Sequence, residues 1–147
     1  MIAVAALLIV IQIFRPERNS STSSGKEFEK QLAVPMNISK MLKTSCYDCH
    51  SNNTNYPWYS NIQPIAWWLK DHIDDGKKHL NFDEFENYTP EKKRDAISEI
   101  IETMEKGEMP LRSYTLIHSD AKLTVNQQQQ LIKWARSLKA GWESERN

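Results

Sequence analysis

The amino-acid sequence predicts an all-α fold in a single domain. Apolar residues recur at helical spacing in three segments, each bounded by residues that start or stop helices. No segment shows the alternating pattern of a strand or the turn signal of a hairpin, and we find no internal repeat. The chain has 147 residues, which is enough for one domain with some length left for an anchor or a tail.

The N-terminal segment, residues 1–14, is uncharged and almost wholly apolar. As a helix it would span about 21 Å, which is less than the ~30 Å hydrocarbon core of a bilayer. This length is typical of a signal peptide, but the charged region and a well-placed cleavage site are missing. We expect a membrane anchor or signal segment here, unless the natural start lies upstream. Residues 15–25 are expected to form a flexible polar tether to a domain of residues 26–147.

Two short elements lead the chain into the domain. A charged segment ends before Pro35, and a short amphipathic helix follows at residues 37–42. Asn37 is expected to cap this helix, because its side chain can accept a hydrogen bond from a backbone amide of the first turn. A loop is expected at residues 52–57, before an aromatic stretch that begins at Trp58.

The first two long helices are bounded by proline and glycine residues. Pro64 suits the first turn of one helix, which Gly76 is expected to end. Thr89 and Pro90 suit the start of the next helix, and Gly107 is expected to end it. The apolar residues are Ile65, Trp67, Trp68, Leu69 and Ile73 in the first helix, and Ala96, Ile97, Ile100, Ile101 and Met104 in the second.

The last helix is predicted to begin at Thr124-Val125-Asn126-Gln127, which has the pattern of a capping box. In this arrangement the side chains of the first and fourth residues each bond the other's backbone amide, which stabilises the helix start. The apolar face of the helix consists of Leu131, Trp134, Ala135 and Leu138.

Five consecutive residues, Cys46-Tyr47-Asp48-Cys49-His50, carry the most specific signal of the chain. The pattern C-x-x-C-H is the attachment sequence of c-type haem. Each thiol can add to one vinyl group of a haem, and the adjacent imidazole is then held beneath the iron as its proximal ligand. We therefore predict one covalent haem c on Cys46 and Cys49, with His50 as the proximal ligand.

Two other uses of the cysteine pair are less consistent with the sequence. A zinc site needs two further ligands, and His72 and His79 are separated by six residues, a wider gap than in zinc fingers. A thioredoxin-like dithiol expects a βαβ context, whereas the stretch after Cys49 is rich in asparagine and turn-like. Because the chain has two cysteines in all, one local disulfide is the remaining oxidised form.

Met109 is the candidate for the distal iron ligand. It lies 59 residues after His50, which leaves room for two helices to pass around a haem and return. It follows the expected helix end at Gly107 and precedes Pro110, which favours an extended conformation suited to a ligand on a loop. The alternatives are that Met109 is an ordinary core residue, and that His72 or His79 is the ligand instead.

The charge balance argues against a nucleic-acid partner, and several further residues could surround a haem. Lys and Arg together number 19, as do Asp and Glu, so there is no basic excess to hold nucleic acid. Arg112 could pair with a haem propionate or remain on the surface, and His118 is expected to face solvent. The aromatic residues that could wall the haem, or belong to an ordinary core, are Trp58, Trp67, Trp68 and Tyr114.

Several of these motifs, in this order, resemble the bacterial haem-binding domain family over about residues 30–138. The matching motifs are Cys46-Tyr47-Asp48-Cys49-His50-Ser51-Asn52, Tyr56-Pro57-Trp58-Tyr59, His79-Leu80-Asn81-Phe82 and Gly107-Glu108-Met109-Pro110. The resemblance implies a small, cytochrome-c-like helical module of the cell envelope with one covalent haem. It implies attachment through Cys46 and Cys49 with His50 as proximal ligand, and it supports Met109 less directly.

The expected function is one-electron transfer with redox partner proteins of the envelope. A His/Met pair would fill both axial positions of the iron and leave none for a substrate. The rival expectation is a bis-histidine or open-site haem module that acts as a gas or redox sensor or as a peroxidase-type enzyme. Arg15 and Arg18 would place the following chain in the cytoplasm, but c-type haem is attached outside the cytoplasmic membrane. We therefore expect the periplasmic side, with residues 1–14 as the membrane attachment.

Overall fold

The computed structural model describes residues 1–21 and 26–144. Within these residues all regular structure is helical, which confirms the predicted all-α class. The α-helices are α1 (Ile2–Val10), α2 (Lys26–Gln31), α3 (Met36–Ser45), α4 (Tyr47–His50), α5 (Ile65–His79), α6 (Pro90–Glu105), α7 (Arg112–Thr115) and α8 (Val125–Ser144). Short 3₁₀ turns lie at Ile11–Ile13, Trp58–Asn61, Phe85–Asn87 and Ser119–Ala121.

The core lies where α3, α6 and α8 pack together, and it is closed by a cluster of aromatic rings. Phe28 of α2 is fully buried, and its ring meets those of Phe82 and Phe85 edge to face at 4.8 and 4.9 Å. Trp134 of α8 approaches the same ring at 6.4 Å. The Phe28 side chain thus attaches the charged segment before Pro35 to the domain, because the burial of a phenylalanine is strongly favourable.

Local sequence signals located several helix boundaries correctly. The Thr89 hydroxyl accepts a hydrogen bond from the Lys92 amide at the start of α6, as expected of an N-cap. Gly107 follows the end of α6 with a φ of 68°, in the left-handed region that favours glycine. Thr124 and Gln127 form the predicted capping box before α8, with reciprocal bonds between side chains and backbone amides.

Two boundary predictions were wrong. Asn37 does not cap α3, which begins one residue earlier, after Pro35. Its side-chain amide instead donates to the Gln130 side chain at 2.9 Å and so links α3 to α8. Gly76 does not end α5, which continues to His79; the reason is a tertiary contact described below.

Polar atoms of the N-terminal segment form hydrogen bonds with the domain. The Gln63 amide donates to the Gln12 side chain at 3.0 Å, and the Trp67 indole donates to the Phe14 carbonyl at 2.7 Å. The residues of α1 are exposed. Among the described residues, no helix has both the length and the apolar character needed to cross a membrane.

Within the predicted tether, Asn19 forms hydrogen bonds with the domain. The side-chain amide of Asn19 donates to the Ser51 carbonyl at 2.8 Å, and its side-chain oxygen accepts from the Lys77 ammonium at 2.6 Å. Its backbone carbonyl accepts from the Thr54 amide at 3.0 Å. These bonds fix the chain against the loop that follows His50. The remainder of the predicted tether, residues 22–25, lies outside the described residues.

Candidate functional site

A cavity of about 740 Å³ lies between α3, α4, α5 and α6 and the segment that leads into α7. Its volume falls within the range of roughly 300–1,000 Å³ that is usual for ligand sites. Cys46, Cys49, His50 and Met109 all line it, so the fold brings the four predicted site residues to one place. Its apolar walls include Leu42, Leu80, Phe82, Ala96, Ile100, Met104, Leu111 and Leu131.

The backbone holds His50 in a defined orientation. The chain turns through α4, where the His50 amide donates to the Cys46 carbonyl, and then the Phe82 amide donates to the His50 carbonyl at 2.8 Å. The Nδ1 atom of His50 lies 3.0 Å from the Leu80 carbonyl. Because a carbonyl can only accept, Nδ1 carries the proton, which leaves the Nε2 lone pair available to a metal.

The protonation of the site also suits a ligand histidine. Burial lowers the pKa of His50 and so favours its neutral form, although the Leu80 carbonyl opposes this effect. Burial, followed by the proximity of Cys49, raises the pKa of Cys46 to about 12. Burial, followed by the charge of Asp48, raises the pKa of Cys49 to about 11. A redox dithiol instead lowers its thiol pKa, so these values argue against that alternative.

Zinc is also disfavoured by the arrangement of side chains. Among the described residues, no three histidine, cysteine, aspartate or glutamate side chains are grouped so that they could hold a metal ion. A structural zinc site needs four such ligands. The two cysteines and His50 therefore do not assemble the set that the zinc interpretation requires.

Gly76 explains why the cysteine motif can pack against α5. A Cβ atom at this position would lie 3.1 Å from the Cys49 carbonyl oxygen and 3.3 Å from Cε1 of His50. Both separations are shorter than ordinary van der Waals contact, so a side chain at this position would move α4 away from the helix by a few tenths of an ångström. The glycine that the sequence presents as a helix stop is a helix interior residue that makes room for the site.

The Gly76→Val protein is expected to be less stable than the parent by about 1–3 kcal/mol, the usual cost of overpacking. The added methyl groups would displace Cys49 and His50, so the yield of covalently attached haem should fall as well. Gly141→Val is the matched control, because Gly141 also lies in a helix but has no atom within 4 Å of its Cβ position. Urea unfolding of the two variants should separate them; equal stability would show that the close contact at Gly76 is unimportant.

Among the residues that the structure describes, the cavity has one buried side-chain polar atom without a hydrogen-bond partner. Ser45 is 7% exposed and lines the cavity, and its hydroxyl has no hydrogen-bond partner. A buried hydroxyl left unpaired costs about 1–3 kcal/mol, so such groups usually meet a ligand or water. The cavity thus suits a large, mainly apolar group that also carries polar atoms. A haem, with an apolar macrocycle and two carboxylates, fits this description.

Met109 occupies the predicted place between helices. It lies in the segment between α6 and α7, is partly buried and packs against the core. Sequence reasoning missed a second thioether at the cavity: Met104, in the last turns of α6, is 6% exposed and also lines the cavity. The sequence placed Met104 on the apolar face of its helix, and nothing in that pattern separates a cavity-lining residue from a core residue.

The two histidines considered as alternatives also line the cavity. Nδ1 of His79 lies 2.7 Å from a carboxylate oxygen of Glu99, and its side chain is about half exposed. Nδ1 of His72 lies 2.8 Å from the Trp68 carbonyl, and its ring packs on the Trp68 indole with 4.1 Å between centroids. Each histidine therefore keeps one ring nitrogen bonded to protein and the other available.

Several residues expected near the haem lie elsewhere. Of the four aromatic candidates, Tyr114 alone lines the cavity. Trp67 bonds the Phe14 carbonyl, Trp58 is largely exposed and Trp68 is 43% exposed. All three lie before the part of α5 that reaches the cavity. Arg112 is exposed and does not line the cavity. His118, which was expected to face solvent, is partly buried, and its ring stacks on Tyr114 at 4.4 Å.

Comparison with known proteins gives one match. The family model described as a haem-binding domain matches residues 6–137. The match covers nearly the whole chain, including the cysteine motif, the cavity and the segment that carries Met109. Comparison with curated proteins gives no match, and comparison with solved structures gives none either.

Proposed function

The chain belongs to the haem-binding domain family, and on this premise we propose that it is a monohaem c-type cytochrome that transfers single electrons. The observation that carries the proposal is the C-x-x-C-H motif at the cavity, with Nδ1 of His50 bonded to the Leu80 carbonyl and Nε2 available to iron. Free thiols at the first and fourth positions of the motif, those of Cys46 and Cys49, lie at the wall of the same cavity. A haem bound there supplies a one-electron iron couple.

In this proposal each residue has a separate role. Cys46 and Cys49 hold the haem through thioether bonds, and His50 is the proximal ligand. Met109 is the distal ligand, because it lines the cavity from a loop and not from the body of a helix. The apolar walls exclude water from the iron, and the Ser45 hydroxyl is available to a polar atom of the group.

The site of action is proposed to be the periplasmic side of the cytoplasmic membrane in a bacterial envelope. Attachment of haem to such a motif takes place outside that membrane, and α1 is apolar and exposed along its length. The proposed partners are other redox proteins. Acidic side chains at the cavity favour a partner with a basic surface; they are Asp71, Asp74, Asp75, Glu99 and Glu108, beside the single lysine Lys78.

A second candidate function rests on His72 and His79, which also line the cavity. A bis-histidine haem, or one with an open sixth position, would suit a gas or redox sensor or a peroxidase-type enzyme. Nδ1 of His79 is paired with a Glu99 carboxylate oxygen at 2.7 Å, and Nδ1 of His72 is hydrogen-bonded to the Trp68 carbonyl. Either would have to keep this bond while its Nε2 reached the iron.

Carbon monoxide binding to the reduced haem protein tests the proposal. We expect slow and incomplete binding, because a distal methionine must first leave the iron. A weak sulfur-to-iron absorption band in the oxidised protein should accompany this behaviour. Fast, stoichiometric binding without that band would favour the open-site alternative and contradict one-electron transfer through a His/Met haem.

A further inference from the structure

Asp48, the residue directly before Cys49 in the motif, connects three parts of the chain. One carboxylate oxygen accepts a hydrogen bond from the Tyr114 hydroxyl at 2.6 Å. The other accepts from the Asn55 amide at 3.1 Å, and the Asp48 carbonyl accepts from the Thr54 hydroxyl at 2.6 Å. Asp48 is thus bonded to the loop after His50, and one of its oxygens bonds α7, which follows the segment that carries Met109.

Tyr114 lies in α7, which begins directly after the Met109 segment. Its amide donates to the Leu111 carbonyl at 3.0 Å, so its position and that of the preceding loop depend on each other. Its side chain lines the cavity and is partly buried. Burial, followed by the bond to Asp48, raises the pKa of Tyr114, so the hydroxyl remains a donor over the ordinary pH range.

One face of the Tyr114 ring is stacked against His118. The His118 ring stacks on it at 4.4 Å between centroids and 17° between planes. Nε2 of His118 lies 2.6 Å from the Tyr59 hydroxyl. These contacts leave the ring little freedom to turn, so the hydroxyl is held toward Asp48.

We propose that the Asp48–Tyr114 hydrogen bond is a clamp that holds the Met109 loop closed over the iron. The inference rests on the proposed function and adds a positioning residue to it. Asp48 belongs to the segment that would carry the haem, and Tyr114 lies in α7, directly after the segment that carries Met109. A hydrogen bond between them resists the separation of Met109 from the haem without touching the iron.

The Tyr114→Phe protein tests the clamp, because it keeps the ring and its stacking and removes only the hydroxyl. Imidazole binding to the oxidised protein reports the opening of the loop, since imidazole enters only when the methionine has left. A hydrogen bond to a charged group changes an equilibrium by about tenfold or more. We therefore expect imidazole to bind about tenfold more tightly or more, while the sulfur-to-iron band persists in its absence.

Three further variants make this test specific. Tyr59→Phe removes a neighbouring hydroxyl that bonds His118 and not Asp48; it should strengthen imidazole binding much less than Tyr114→Phe does. Asp48→Asn keeps the shape and an accepting oxygen without the charge, and its effect should be smaller than that of Tyr114→Phe. In a Met109→Leu background Tyr114→Phe should change nothing, because there is no methionine to release.

The outcomes separate the clamp from the proposed function. A parent protein without the sulfur-to-iron band would show that the His/Met assignment itself fails. A parent with the band, together with unchanged imidazole binding in Tyr114→Phe, would overturn the clamp alone. Equal effects of Tyr114→Phe and Tyr59→Phe, or a persistent effect in the Met109→Leu background, would also overturn it, since general loosening of the aromatic cluster would then be the cause.

Discussion

The Cys46→Ala/Cys49→Ala double variant is expected to lose all of its haem on denaturation. Thioether bonds survive unfolding, whereas a haem held by His50 and by the cavity walls alone is released when the cavity is lost. Each single variant keeps one thiol and should retain haem through one bond. The measurement is haem absorbance in the protein fraction after acid–acetone extraction of material produced with a c-type maturation system.

Ser45→Ala is the matched control for the cysteine variants. Its hydroxyl lies beside Cys46 at the wall of the same cavity, but it cannot form a thioether. Ser45→Ala should therefore retain covalent haem after extraction. A parent protein that gives up its haem to the organic phase, or that contains stoichiometric zinc instead, would contradict covalent attachment.

Met109→Leu is expected to lower the reduction potential of the haem strongly. A neutral thioether favours ferrous over ferric iron, and axial ligands move haem potentials across a range of about 0.8 V. The sulfur-to-iron band should disappear and carbon monoxide should bind quickly. Covalent haem should persist, because the cysteines and His50 are unchanged. Leucine has nearly the volume of methionine, so stability should fall by less than about 1.5 kcal/mol.

The control for this variant is Met104→Leu, which makes the same chemical change at the same cavity. Its potential and spectrum should remain those of the parent. If Met104→Leu lowered the potential and removed the band while Met109→Leu left both unchanged, Met104 would be the distal ligand. If neither variant changed the potential or the spectrum, a bis-histidine haem through His72 or His79 would replace the His/Met assignment.

Features encoded by neighbouring residues could be predicted from the sequence, and features that depend on distant contacts could not. The Thr89 cap, the Gly107 helix end and the capping box at 124–127 were located correctly, because each rests on backbone bonds within a few residues. Gly76 was misread as a helix stop, since its close contacts come from α4. A glycine gives the same local signal in both roles.

The candidate site shows the same division. The motif at 46–50 identified its own cysteines and histidine, because their spacing carries the chemistry. The partner of Asp48 is 66 positions away in the chain, and no local pattern marks Tyr114 as that partner. The aromatic candidates failed for a related reason: Trp58, Trp67 and Trp68 have suitable side chains, but they lie before the part of α5 that reaches the cavity, and Trp67 bonds the N-terminal segment instead.

The hydrogen bonds of Gln12, Phe14 and Asn19 determine how far the haem cavity can travel. A cytochrome on a free linker explores a volume whose radius grows with linker length. The size of that volume sets the effective concentration at which the cytochrome meets a tethered partner. Here the chain between Phe14 and Asn19 is fixed at both ends to the domain, so that it contributes no reach. In a protein attached to a bilayer through α1, the cavity would stand at a constant height and angle, and partners would have to come to it.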